Sequence, residues 1–466
     1  MLFNSLQFVA FLLLVLTVHY WVIPAKQERA RRLFLLGASY LFYGSWNAPF
    51  VLLLLYSTCL DYVVALRLVR TTGQAARRAL LAVSLFGNLG VLAFFKYGNF
   101  FADTYLTLAG LGPAAEGGPV IDVILPVGIS FYTFQSLSYS MDVYRGRLQP
   151  VRSFWDLALY VSFFPQLVAG PIVRAREFLP QLDGDRTVDG ADIEESLARI
   201  AGGLIKKVVF ADTLALYVDR VWDAPGDFGG PALLLAAYAF AFQIYFDFSG
   251  YSDMAIGLAR LFGFRLPENF LRPYLSTSPR EFWRRWHITL STWLRDYLYI
   301  SLGGNRASEG RTRFNLFLTM LLGGLWHGAG WSFVFWGGFH GVLLVVQRWA
   351  TPRFPALAAL PAWVRIGITF HLVVLGWVFF RSPDLASAGE ILSGLGRMSF
   401  EFTPDMLRTL VVLVVAALIH GIGLPQQWQQ GLARRSPVAQ GAAYAVVAIL
   451  VYLFSPTTSQ FIYFQF

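Results

Sequence analysis

The chain has 466 residues, 56% hydrophobic and only 14% charged, with a net charge of +9. Soluble domains carry about 25% charged residues, so the composition excludes a soluble enzyme and points to an all-α polytopic membrane protein. A single cysteine, Cys59, excludes a disulfide framework and a cysteine metal cluster. The Lys and Arg residues sit in short connections between apolar runs, where they set orientation and meet lipid head groups rather than nucleic acid.

A spanning helix needs about 20 apolar residues. The first run, Phe3–Ile23, lacks a basic start and is followed by Pro24-Ala25-Lys26, so it reads as a retained helix and not a cleaved signal. Further helices are predicted at Leu33–Trp46, Pro49–Leu66, Ala79–Tyr97, Ile121–Val143, Ala201–Val221 and Ala232–Leu261. The C-terminal half adds Phe314–Trp326, Trp331–Val346, Ile366–Phe380, Leu410–Leu424 and Ala442–Phe454. That makes about twelve transmembrane helices. No polar stretch is large enough for a separate core, so 1–466 reads as one transmembrane domain.

Two stretches do not read as simple spans. Tyr160–Arg174 is apolar but broken by Pro165, Gly170 and Pro171. His287–Leu302 is a short apolar helix pattern with Arg284 and Arg285 before it and Arg306 and Arg311 after it. Like charge at both ends predicts re-entrant or interfacial helices, here forming the cytoplasmic floor of a central funnel. Basic loops at Lys26–Arg32, Arg67–Arg78, Arg145–Arg152 and Arg272–Arg285 contrast with Gly98–Pro119, which has no Lys or Arg. Basic loops stay cytoplasmic, which places the N-terminus outside, and an even number of crossings places the C-terminus there too.

An ionisable ring at membrane depth is a functional-site hypothesis by default. His327 lies in Gly323-Gly324-Leu325-Trp326-His327-Gly328-Ala329-Gly330, where glycines permit irregular or closely approaching backbone. A neutral imidazole there can take a proton from a hydroxyl in acyl transfer; the plainer alternative is a helix-packing hydrogen bond. His340, in Trp336-Gly337-Gly338-Phe339-His340, repeats the pattern and either faces the same cavity or serves packing. His287 follows Arg284, Arg285 and Trp286 and opens the segment that carries Arg295 and Asp296, charges that need partners at membrane level. His19, His371 and His420 sit in plain apolar surroundings and read as structural.

Asp247 and Asp253 fall in one long apolar run. They fit either a cation or proton path in a secondary transporter or flippase, or the orientation of an arginine or histidine in a catalytic chamber. Internal inverted repeats would favour the transporter and none is apparent. A scaffold for polymer export is a third class. Gly202-Gly203-Leu204-Ile205-Lys206-Lys207 lacks the spacing of a nucleotide loop, and His327 and Asp253 lack metal-ligand spacing, so no metal is expected.

Several motifs together resemble the membrane-bound O-acyltransferase family. They are Phe163-Phe164-Pro165-Gln166-Leu167-Val168-Ala169-Gly170-Pro171, Tyr245-Phe246-Asp247-Phe248-Ser249-Gly250-Tyr251-Ser252-Asp253, Arg284-Arg285-Trp286-His287, Gly303-Gly304-Asn305-Arg306 and Trp326-His327-Gly328. They look most similar to the bacterial branch that O-acetylates alginate and other exported polysaccharides, whose relatives acetylate peptidoglycan or pass D-alanine to teichoic acids. The resemblance implies an inner-membrane acetyltransferase that uses acetyl-CoA as cytoplasmic donor substrate and holds no bound cofactor. It also implies His327 as the central histidine and His287 as the second. Beside them Asp247, Asp253, Arg284, Arg285, Arg295, Asp296, Asn305 and His340 are the candidates for shaping the chamber and binding substrate. The implied partners are membrane lipid, a polysaccharide export complex and a periplasmic esterase-like acetyltransferase. No Gly-x-Ser-x-Gly elbow is apparent in this chain. The aromatic tail 459–466 resembles the C-terminal motif of a small partner protein in the D-alanylation system, which makes Tyr463 a candidate transient acyl carrier; an interfacial aromatic anchor is the alternative.

Overall fold

Each of the predicted apolar runs carries a helix in the computed structural model, which describes residues 1–110, 124–184, 186–306, 308–399, 402–423, 431–432, 435–455 and 462. Every regular element among these residues is helical. The chain divides into two compact units, one of residues 1–189 with 258–267 and the other of residues 190–257 with 268–466.

The first unit is built from α1 (Leu6–Thr17), α2 (Glu28–Gly44), α3 (Val51–Arg70), α4 (Gln74–Leu92), α5 (Ile129–Tyr144) and α6 (Phe154–Ser162). Its polar residues face inward because lipid offers them nothing. Asp61 of α3 accepts from Ser84 Oγ at 2.5 Å and Asn88 Nδ2 at 3.0 Å on α4, and from Ser140 Oγ at 2.7 Å on α5. Such inter-helix hydrogen bonds, with van der Waals packing, hold helices together where no hydrophobic drive exists between them. One expectation needs correction. The basic-free stretch predicted as a loop from Gly98 begins as helix: α4 passes through a π-helical turn at Ala93–Tyr97 into a further helix, Gly98–Leu108. No proline lies within 98–108, so nothing there stops the helix at Gly98.

The proline-broken stretch behaves as its composition predicts. The helix stops at Ser162, a short turn covers Phe164–Leu167, and irregular backbone runs to Arg174. This backbone is buried, and side chains satisfy it: Gln166 Nε2 donates to Tyr160 O at 2.7 Å and Tyr160 Oη to Val173 O at 2.9 Å.

The second unit contains α7 (Gly190–Leu204), α8 (Asp212–Asp223), α9 (Gly230–Arg260), α10 (Pro279–Arg285), α11 (Ile288–Trp293), α12 (Glu309–His327), α13 (Trp331–Ala350), α14 (Ala362–Arg381), α15 (Pro404–Ile422) and α16 (Pro437–Phe454). Among the described residues, six segments are long and apolar enough to cross a membrane: 48–70, 74–108, 230–260, 362–381, 404–422 and 437–454. These support a multi-pass membrane protein. α9 is buried along most of its length, whereas α16 exposes Val438, Ile449, Tyr452 and Leu453, the apolar surface a lipid-facing helix presents.

Candidate active site

His327 is the last residue of α12 and is 3% exposed. Its place depends on the glycine before it in the helix contact. A Cβ at Gly324 would lie 2.3 Å from Phe333 O and 2.8 Å from the Cα of Gly337, so only glycine lets α12 and α13 approach this closely. The approach brings Trp336 of α13 edge-on to the His327 ring, with centroids 5.0 Å apart. Phe380 of α14 and the neighbouring Trp326 close two further sides, at 5.3 Å and 5.0 Å. The imidazole therefore sits in an aromatic, water-poor enclosure.

His287 reaches the same place from another segment. It precedes α11 in the left-handed region, with φ 41°, a conformation few non-glycine residues adopt. Such strain concentrates at functional positions. Its ring is fully buried, and its centroid lies 6.5 Å from that of His327. Phe248 packs edge-on at 4.7 Å. On the far edge, His287 Nδ1 lies 3.1 Å from Asn269 Oδ1, which also accepts from Thr289 N at 3.3 Å and Thr289 Oγ1 at 2.8 Å.

α12 carries a second feature. A cavity of about 720 Å³ is lined by Arg280 and Arg284 of α10, Arg295 from the π-helical turn Leu294–Tyr299, and Arg348 of α13. Leu294, Leu316, Thr319 and Met320 add an apolar part. Arg348 pairs with Glu309 at the start of α12, at 2.8 Å. Arg348 of the basic wall thus lies by the first turn of α12, and Leu316, Thr319 and Met320 continue the lining along that helix toward His327. Asn305 lies at the same cavity and accepts from Tyr299 Oη at 2.5 Å. Of the other basic candidates, Arg285 pairs with Glu281 at 2.6 Å and does not line the cavity. Arg295 and Asp296 pair with each other at 2.6 Å.

The two buried carboxylates of α9 are held by cations. Lys207 Nζ lies 2.6 Å from Asp247 and 2.8 Å from Asp212. Asp253 receives Lys206 at 2.5 Å and Arg199 at 3.0 Å, and Arg199 continues to Glu268 at 2.5 Å. A π-helical turn at Ile205–Ala211 buries the consecutive lysines together. Asp247 also receives the backbone N–H of Ile462 at 2.8 Å, and Ile462 is 2% exposed. Tyr463, the next residue, lies outside the described residues. His340 is buried among Trp283, Trp336 and Phe339, with ring centroids at 5.1, 4.8 and 5.6 Å. Trp336 contacts both His340 and His327. Among the described residues no group of three or more His, Cys, Asp or Glu is placed to hold a metal.

Comparison with known proteins decides the family. The sequence profile of the membrane-bound O-acyltransferase family matches residues 151–382. The chain is 44% identical to the probable alginate O-acetylase of Pseudomonas aeruginosa, over 94% of this chain and 85% of that protein. It is 40% identical to the probable alginate O-acetylase of Pseudomonas putida, over 98% and 99%. The peptidoglycan O-acetyltransferase of Helicobacter pylori is 39% identical, over 85% and 80%. The chain belongs to the membrane-bound O-acyltransferase family.

For a member of this family, the sequence brought forward the two histidines that meet in the structure, but not the polar groups that hold their surroundings. Asn269, Arg348 and Lys207 carry no motif of their own; each gains its place from a contact distant in sequence, to His287, Glu309 and Asp247. The remaining histidines lie elsewhere. His420 faces Tyr274 N at 3.4 Å, His371 meets Tyr238 Oη at 2.9 Å, and His19 packs edge-on to Phe262 at 5.3 Å.

Proposed function

We propose that this acyltransferase moves an acetyl group from acetyl-CoA in the cytoplasm to the outer side of the membrane for O-acetylation of an exported polysaccharide such as alginate. The observation that carries the reading is that one helix, α12, lines the four-arginine cavity and ends at His327, which is paired with His287. Arg matches phosphate with paired donors, and coenzyme A is rich in phosphate. The identity to alginate O-acetylases supports the choice of acceptor.

The step balances simply. An acceptor hydroxyl gives its proton to a ring nitrogen of His327, and its oxygen attacks the thioester carbonyl carbon. The C–S bond breaks, and the imidazolium returns its proton to the coenzyme A sulfur. An O-acetyl ester and free coenzyme A result. His287 orients donor or acceptor. The ion pairs of Asp247 and Asp253 keep the chamber in shape, and they support this reading over proton transport, which needs carboxylates that exchange their protons. Arg284, Arg295 and Asn305 contact the donor at the cavity; Arg285, Asp296 and His340 act behind it. Tyr463 is the first acceptor, and a periplasmic esterase-like transferase within an export complex collects the acetyl from it. The whole chain acts as one transferase domain of about twelve crossings in the inner membrane, with both termini outside.

A purified preparation in lipid nanodiscs, given radiolabelled acetyl-CoA, is expected to release free coenzyme A as label leaves the thioester. His327→Ala should lose about 10²–10⁴-fold of that rate while staying folded. Near-normal release by folded His327→Ala rejects the role of His327, and no transfer by the wild type rejects the donor. The likeness to a peptidoglycan O-acetyltransferase supplies a second acceptor class, so alginate and peptidoglycan fragments should both be offered.

A further inference from the structure

Two adjacent glycines of α12 have different surroundings. Gly324 is pressed against the backbone of α13. Gly323 is also buried, yet among the described residues, its chain neighbours and the surrounding backbone of α12 apart, only one atom lies within 4 Å of where its Cβ would stand, Leu294 Cδ1 at 3.1 Å. Buried positions in close-packed interiors have many neighbours. Among the described residues Gly323 therefore borders open space, and the packing argument that accounts for Gly324 does not account for it.

The position of that space follows from helix geometry. At about 100° per residue, Leu316, Thr319, Met320, Gly323 and His327 fall within a single arc of about 100° on α12. The first three line the arginine cavity. Gly323 is the next step along this stripe, and His327 follows four residues later, on the same face. Helical side chains lean toward the N-terminus, so the His327 ring leans over the turn that contains Gly323. Met320 and His327 are separated by about 10 Å along the axis. Leu294, the side chain of the described residues that meets the Cβ position of Gly323, also lines the cavity.

We infer that Gly323 and Leu294 form the constriction between the arginine cavity and His327, and that the missing side chain at Gly323 sets the size of acyl group admitted, a short acyl thioester of the acetyl class. This rests on His327 being the transfer centre. Gly323 and Leu294 are specificity-determining residues and take no part in proton transfer. A methyl group added at Gly323 must push Leu294 aside or close the passage. Removing the Leu294 side chain widens the passage from the opposite wall.

The test measures free coenzyme A release by the full-length protein in nanodiscs, with acetyl-CoA, propionyl-CoA and butyryl-CoA as donors. A methylene in an apolar pocket changes selectivity by about 10–200-fold. Leu294→Ala is expected to raise the ratio of propionyl to acetyl kcat/KM by about tenfold or more. Gly323→Ala is expected to lower acetyl transfer and to lower propionyl transfer further, while the protein remains monodisperse. Gly310→Ala, at an exposed position with nothing within 4 Å of the added Cβ, is the control that leaves all three donors unchanged. An unchanged donor ratio in both Leu294→Ala and Gly323→Ala overturns the gate. If Gly323→Ala does not fold, Leu294→Ala decides alone. A wild type inert toward every donor overturns the acyl-CoA reading itself, an outcome distinct from an active wild type whose selectivity the variants leave alone.

Discussion

Asn269 Oδ1 faces His287 Nδ1 at 3.1 Å while accepting from the backbone N–H of Thr289 at 3.3 Å. A backbone N–H can only donate, so the Asn269 atom at this point is its oxygen, and its Nδ2 turns to Ser252 Oγ at 3.1 Å. The His287 nitrogen facing that oxygen must then carry the hydrogen. In the neutral ring this leaves Nε2 as the acceptor nitrogen. One amide thus fixes the tautomer and the direction of the second histidine.

Asn269→Ala removes the acceptor from two buried donors of Thr289 and from His287. Each unsatisfied buried donor costs about 1–3 kcal/mol, and each 1.36 kcal/mol is worth about tenfold in rate. We expect kcat to fall by about ten- to a hundredfold with the protein still folded, and its pH profile to change shape. Asn269→Asp keeps an acceptor oxygen and should recover part of the rate. Wild-type kcat and pH profile in Asn269→Ala would show that the tautomer of His287 does not matter.

The contrast between Asn269 and His327 shows what the sequence can display. Runs of apolar residues fix helices because the bilayer fixes their length, and α9, α12 and α14 fall close to the predicted limits. A histidine among glycines and tryptophans is conspicuous for the same reason. Asn269 and Arg348 are ordinary residues in an ordinary setting, and only folding gives them partners. Lys206 and Lys207 were visible only as part of a glycine-lysine run without nucleotide spacing. A regular helix sets consecutive residues about 100° apart, so nothing in the pattern indicates that a π-helical turn buries both beside α9. The left-handed backbone of His287 is hidden likewise, since the residue type gives no warning of it.

The arginines divide by position. Arg280, Arg284 and Arg348 line the cavity, whereas Arg272 lies by Gly421 O at 3.4 Å and Arg285 by Glu281. Hydrogen bonds to charged groups contribute about 1.5–3 kcal/mol. Arg280→Gln and Arg284→Gln together should raise KM for acetyl-CoA by about tenfold or more with a smaller change in kcat. Arg272→Gln with Arg285→Gln should leave KM near the wild-type value. Equal effects from the two pairs would mean that the cavity does not receive the donor.

Gly324 sets how closely α12 and α13 pack. Gly324→Ala places a Cβ 2.3 Å from Phe333 O, and backbone cannot yield as a side chain tip can. Overpacking typically costs about 1–3 kcal/mol, so a lower thermal midpoint and loss of activity are expected together. Gly338→Ala meets Leu321 Cδ1 at 3.6 Å as its nearest described neighbour, an ordinary contact distance, and should be tolerated. A Gly324→Ala protein as heat-resistant as wild type would remove the close contact as the device that seats Trp336 against His327.

The tail offers the sharpest separation of chemistry from packing. Ile462 is buried and donates its N–H to Asp247, whose other oxygen is held by Lys207. Ile462, the residue just before Tyr463, is therefore anchored to α9 by a charge-assisted hydrogen bond, stronger than a neutral one. If Tyr463 carries the acetyl, its phenol needs a base, because its ordinary pKa lies near 10, and His327 supplies it. Tyr463→Phe keeps the aromatic bulk and removes only the hydroxyl. We expect polymer acetylation to be lost while membrane insertion and thermal midpoint stay unchanged. In cells lacking the periplasmic partner, mass spectrometry of the C-terminal peptide should find an acetyl group on Tyr463 in the wild type and none in Tyr463→Phe. Asp247→Asn weakens the anchor without touching the phenol, so it should lower the yield of acetylated peptide and not abolish it. Full polymer acetylation by Tyr463→Phe would assign the tail to anchoring alone and require another acceptor to carry the acetyl outward.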